Sequence, residues 1–162
     1  MPRYMLDTDI CSYIMKRSND AVLKRLIALP VHDVCISVIT KSELLFGVEV
    51  SPRRQQDETA LNAFLDYLDV LDFPDHASLH YAQIRAHLRK LGAMIGANDL
   101  SIAAHARSMG LTLVINDVGK FSRVPSLVVE NWTATVPHVG SGKRLAQRKH
   151  KSVTRPWTST PS

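Results

Sequence analysis

An α/β fold, with a parallel sheet between layers of helices, is what this 162-residue sequence predicts. Three observations lead there. Short apolar runs recur along the chain (RYML, DVCIS, VLDF, LTLVI, LVVE), several of them carrying β-branched residues. The first four are separated by longer stretches that carry apolar residues at helical spacing, so their crossovers return each strand parallel to the last. Acidic residues stand at the ends of several apolar segments (YMLDTD, ITKSEL, GANDLSIAAHA, LVIND). The length suits one domain.

The elements follow in order. Residues 3–6 form a first, central strand ending at Asp7. Residues 9–16 and 20–28 are helical; Val22, Leu23, Leu26, Ile27 and Leu29 make one broad apolar face, and Pro30 ends the second helix. Residues 33–37 are the second strand. A helix over 40–50 follows, with Thr40 as its N-cap. Another spans 54–68, with Leu61, Phe64, Leu65 and Leu68 inward. Residues 70–73 give a short strand, and Pro74 opens a helix over about 75–91. Gly92 and Gly96 bracket a loop. Asn98 or Asp99 opens a helix that Gly110 closes. Residues 111–115 (LTLVI) are the clearest strand, followed by Asn116-Asp117, and 127–130 is the last. The total is five strands.

Composition is ordinary for a globular protein, 45% hydrophobic and 22% charged. The net charge of +5 is misleading as a whole. Residues 134–162 carry six basic residues and no acid; without them, 14 basic face 15 acidic residues in 1–133, a balance of −1. A nucleic-acid partner cannot be argued from the pI. The segment 134–162 lacks periodic apolar residues and reads as a flexible basic tail, apart from Leu145 and Trp157. No apolar stretch is long enough to span a membrane, and two acids interrupt the N-terminal run, so a cytoplasmic location is the default expectation. Cys11 and Cys35 have no metal-ligand spacing and read as buried thiols. The histidines form no metal signature.

Asp7, Glu43, Asp99 and Asp117 are therefore the candidate site. Gaps of 36, 56 and 18 residues mean that only folding can assemble them. On a parallel sheet, ligands bind outside the carboxyl ends of the strands. Asp7 and Asp117 follow strands there, and Glu43 and Asp99 lie in the first turns of helices that start there. Converging carboxylates make a hard-oxygen set for Mg²⁺ or Mn²⁺, which suits phosphodiester hydrolysis. Each acid also has a plainer reading. Asp7 could cap its helix. Thr40-Lys41-Ser42-Glu43 has the pattern of a capping box. Asp99 could be an N-cap and Asp117 a turn residue. Asp9, a further rim acid, suits the first turn of a helix. Arg85, Arg89 and Lys90 share one helix, as RNA contacts or as a solvated face.

The ordered strings YMLDTDICSYIMK, ISVITKSELLFGVE, IGANDLSIAAHA and LVINDVGKFSRVPSLVVENW resemble the PIN-domain ribonucleases over about residues 3–132. Within them the chain looks like the VapC-type toxins of type II toxin–antitoxin pairs. The resemblance implies a three-layer PIN-like fold with a five-stranded parallel sheet flanked by helices. It implies a Mg²⁺- or Mn²⁺-dependent endoribonuclease that leaves a 5′-phosphate and a 3′-hydroxyl. Asp7, Glu43 and Asp99 would bind metal, Asp117 would complete the pocket or serve a second ion, and Asp9 would be secondary. It also implies a VapB-type antitoxin, homodimerisation and, by analogy with some members, a tRNA substrate. Leu45, Phe46 and Tyr67 are candidates for partner surfaces. The chain departs from the family at Asp9, where Asn is usual, at Ile115-Asn116-Asp117, where Thr-Asn-Asp or Thr-Asn-Asn is common, and at Gly119, where a polar or acidic residue is common. Two rival functions share some features. The Asp7-Thr8-Asp9 opening matches a haloacid-dehalogenase-like phosphatase, although Cys11 departs from that motif. A non-catalytic PIN-like module that only binds RNA or protein is the other.

Overall fold

Five short parallel strands set the frame: β1 (Tyr4–Leu6), β2 (Val34–Ser37), β3 (Asp69–Leu71), β4 (Thr112–Ile115) and β5 (Val129–Asn131). In a computed structural model, which describes residues 1–133, they pair in the order β3-β2-β1-β4-β5. Tyr4 lies opposite both Val34 and Thr112, and Leu6 lies opposite Val114. The chain thus starts in the middle, builds outward to β3, then returns to the other side of β1. The change of direction falls between β1 and β4, where a crevice opens at the carboxyl edge.

Among the described residues seven α-helices cover the sheet: α1 (Thr8–Lys16), α2 (Asp20–Ala28), α3 (Val38–Glu49), α4 (Arg54–Tyr67), α5 (Ala77–Lys90), α6 (Ala97–Ser108) and the one-turn α7 (Val118–Phe121). Alternation along the strands sorts the core into two layers. Leu6, Val34, Ile36 and Val114 point to α1–α4, packing with Ile10, Ile14, Leu26, Leu61 and Phe64. Met5, Cys35, Leu113 and Ile115 point the other way, to Ile84, Leu88, Leu100 and Phe121 of α5–α7. Because both faces are covered there, the three central strands β2, β1 and β4 read as continuous apolar runs, whereas the edge strands β3 and β5 carry Asp69 and Glu130.

Both cysteines are free and buried, as expected. Burial pushes the Cys35 thiol up to about 12 and the Cys11 thiol upward as well, which keeps both unreactive. Among the described residues, no helix is long and apolar enough to cross a membrane. The expected basic tail, 134–162, lies outside the described residues.

Several boundaries differ from expectation. Helix α3 begins at Val38, with Ser37 as its N-cap: the Ser37 Oγ accepts from the Ile39 N–H at 3.1 Å. Thr40 is buried inside the helix and is not a cap. Helix α6 begins at Ala97 after Gly96, so neither Asn98 nor Asp99 is the N-cap. The last strand runs Val129–Asn131, two residues later than its apolar run begins. β3 starts at Asp69, because Cys35 pairs with it.

Candidate active site

Asp7 directly follows β1, and its N–H donates to the Val114 carbonyl at 2.9 Å, which locks it against the end of β4. It stands at the N-cap of α1, yet its carboxylate makes no capping bond of the usual kind. The residue is only 4% exposed, and its Oδ1 has no hydrogen-bond partner among the described residues. Its carboxyl is pushed up to about 7, chiefly by burial and in smaller part by the charges of Asp99 and Asp9. The Thr8 backbone and the Lys120 charge offset part of this. A buried anion with a bare oxygen costs free energy unless a cation meets it.

Asp99 lies in the first turn of α6. Its Oδ2 accepts from the Lys120 Nζ at 2.9 Å. Asp117 caps α7, accepting from the Lys120 N–H at 3.1 Å on Oδ1. Its local contact is thus that of a helix N-cap, where the sequence suggested a turn with Asn116. Asp99, Asp117, Lys120 and Arg123 line one cleft of about 410 Å³ with Gly96 and Gly119. A Cβ at Gly96 would come within 3.4 Å of the Asp99 Oδ2, and one at Gly119 within 3.5 Å of the Asp117 Oδ1. Both glycines thus lie directly beside the carboxylates of the cleft.

Glu43 is held differently. Its Oε1 accepts from the Thr8 hydroxyl at 2.7 Å, and the Thr8 Oγ1 also reaches the Thr40 Oγ1 at 3.5 Å. The capping-box reading fails because α3 starts two residues before Thr40, which leaves the Thr40 amide inside the helix. Glu43 opens onto a smaller neighbouring cleft of about 210 Å³ with Thr8, Lys16 and Asp57. Asp9 is exposed in the first turn of α1. The fold therefore gathers Asp7, Asp99 and Asp117 around Lys120, and ties Glu43 to the same rim through Thr8.

As these side chains stand, no group of three His, Cys, Asp or Glu among the described residues is close enough to cage a metal. The donor set nevertheless fits a hard divalent cation. It is all carboxylate, and the buried Asp7 Oδ1 is an acceptor with no hydrogen-bond partner among the described residues.

Other polar groups nearby are structural. Asn116 donates to the Tyr13 hydroxyl at 2.9 Å and accepts from Thr133 at 3.3 Å, pinning α1 to the end of the domain. His105 is wholly buried, shares a 2.8 Å hydrogen bond with the Ser37 Oγ, and lies edge-on to Phe73. Burial lowers its pKa, which keeps it neutral. Arg85, Arg89 and Lys90 line a groove of about 950 Å³ along α5 that meets the acidic cleft at Met94. Sequence reasoning passed over Thr8, Lys120 and Arg123. Lys120 had one readable signal, its place three residues after an Asp in a helix-capping position.

A parallel sheet covered on both faces, with carboxylates at its switch point, defines a three-layer α/β protein whose candidate site lies at the carboxyl edge. The PIN domain family model matches residues 4–127, and the chain belongs to that family. It is 44% identical over 133 residues to "Ribonuclease VapC2" of Haemophilus influenzae, covering 82% of this chain and 99% of that protein. It is 36% identical to "tRNA(fMet)-specific endonuclease VapC" of Salmonella typhimurium, covering 82% and 99%. Among solved structures, VapBC2 from Rickettsia felis bound to a promoter DNA fragment superposes with a TM-score of 0.75. That chain is 38% identical, with coverage of 80% of this chain and 98% of that one. This membership sets aside the phosphatase alternative.

Proposed function

We propose that this protein is a divalent-metal-dependent endoribonuclease, the toxin of a VapBC-type pair. The relatives that support this reading are named ribonucleases and are matched over nearly their whole length. The observation that carries the metal dependence is Asp7: a buried carboxylate with a bare oxygen at the switch point, beside two more acids.

Asp7, Asp99 and Glu43 would hold Mg²⁺ or Mn²⁺, with Asp117 beside a second ion and Asp9 in a secondary place. The bound cation would supply an activated water and neutralise the phosphoryl charge. The chain's own residues do the rest. The Asp7 backbone bond to Val114 fixes the carboxylate at the strand end. The Thr8 hydroxyl orients Glu43. Arg123 and Lys120 place positive charge at the mouth of the cleft, where an RNA phosphate arrives. Leaving a 5′-phosphate and a 3′-hydroxyl follows from attack on the phosphorus with the 3′ oxygen departing.

The finer assignments belong to the same proposal: a tRNA substrate, by analogy with the Salmonella relative; a VapB-type antitoxin, by analogy with the VapBC complexes; a homodimer; and a cytoplasmic setting. Phe46, 68% exposed on α3, and Leu45 offer apolar surface for a protein partner. Tyr67, by contrast, packs against the core. The test is RNA cleavage by purified protein with and without chelator, with the cut ends sequenced. Cleavage abolished by chelator and restored by Mn²⁺ is expected. Chelator-resistant cleavage, or a folded protein inert on RNA, would overturn the proposal.

A further inference from the structure

Lys120 makes two bonds at the site, to two different acids. Its backbone N–H donates to Asp117, and its ammonium donates to Asp99. Both partners of the ion pair are partly shielded, with side chains 31% and 24% exposed. The ammonium lies in the field of Asp7 as well as of Asp99 and Asp117. The cleft lining is thereby balanced, with two carboxylates, Asp99 and Asp117, facing two cations, Lys120 and Arg123.

That balance has a consequence for a divalent ion. The Asp99 Oδ2 that the ammonium occupies is also the oxygen facing the cleft at Gly96. An ammonium and a dication on one carboxylate repel, so one must withdraw. The lysine stem has four rotatable carbons and swings at little cost. Its backbone stays anchored by the Asp117 cap, so it withdraws only as far as the cleft mouth beside Arg123.

We propose that Lys120 is a built-in counter-ion: it holds Asp99 in the metal-free protein, yields to the incoming divalent cation, and then faces the RNA phosphate beside Arg123. This rests on the reading that the carboxyl rim binds a divalent metal. Lys120 is then a positioning residue that weakens metal binding while aiding RNA.

The test is Mn²⁺ binding to the full chain by calorimetry, without RNA, for wild type, Lys120→Met and Lys120→Arg. Lys120→Met should bind Mn²⁺ about tenfold more tightly, the scale of removing one nearby like charge. Lys120→Arg should stay near wild type. Tighter binding is not a result that mere structural damage produces. Should Lys120→Met fail to fold, Lys120→Gln takes its place. Equal or weaker Mn²⁺ binding by the neutral variant overturns the Lys120 role alone. Absence of Mn²⁺ binding in wild type and variant alike overturns both that role and the metal reading.

Discussion

At the amino edge of the sheet, Asp33 accepts two bonds from the Arg3 guanidinium, at 2.9 and 2.7 Å. At the opposite end of the same central strand, Asp7 is buried with one oxygen unpartnered among the described residues. The first aspartate, 22% exposed, is matched by a cation of its own chain that stands largely in solvent, with the Arg3 side chain 60% exposed. The second has only the shared influence of Lys120, which bonds Asp99 instead. One edge is arranged for folding. The other carries an electrostatic cost that folding alone does not recover, which is the usual mark of a functional site.

The largest effect that sharpens this contrast is at the carboxyl edge. Asp99→Asn should lower RNA cleavage by at least about a hundredfold, since even changes outside the ligand shell of a metal cost 10–100-fold. Its circular dichroism and melting should stay near wild type. Thr8→Val keeps size but removes the hydroxyl that holds Glu43. It should slow cleavage by about tenfold with little change in stability, measured as initial rates on one RNA.

Asp7→Asn should break the comparison in the direction of stability. The Asp7 pKa is raised to about 7 from 3.8, so its ionisation opposes folding. Its favourable contribution is complete below about pH 4 and is lost as the pH rises through 7. Metal-free wild type should lose stability across that window. The variant should lack this slope and be more stable at pH 8 by up to roughly 4 kcal/mol, while losing activity. Denaturant melts at pH 4, 6 and 8 in chelator would read it. The smallest effect belongs to the amino edge: Arg3→Ala should cost less than about 1 kcal/mol, and salt should erase the difference.

Much of this was legible in the sequence, for identifiable reasons. Short apolar runs marked all five strands, most clearly β2 and β4, which are covered on both faces and apolar along almost their whole length. The acids were readable as strand-end and first-turn positions. The start of α3 was not, because Val38 and Ile39 look like continued strand. The ladder with β3 in fact stops at the Ser37–Leu71 pair, and Ser37 turns to cap the helix. Helix α7 is a single turn, too short to show a period. Its lysine looked like any surface charge until folding placed it against Asp99. Glu43 shows the opposite lesson: a local pattern predicted a capping box, and a contact 35 residues away in sequence, to Thr8, replaced it.

The unbalanced Asp7 carboxylate is the centre of the account, and a cation should relieve it. Thermal melting at pH 8 with and without Mn²⁺ tests this directly, since a ligand of the native state raises its stability. Mn²⁺ should raise the melting temperature of wild type well above that of the chelated protein and leave Asp7→Asn nearly unmoved. An equal Mn²⁺ shift in the two proteins, or none in wild type, would contradict it.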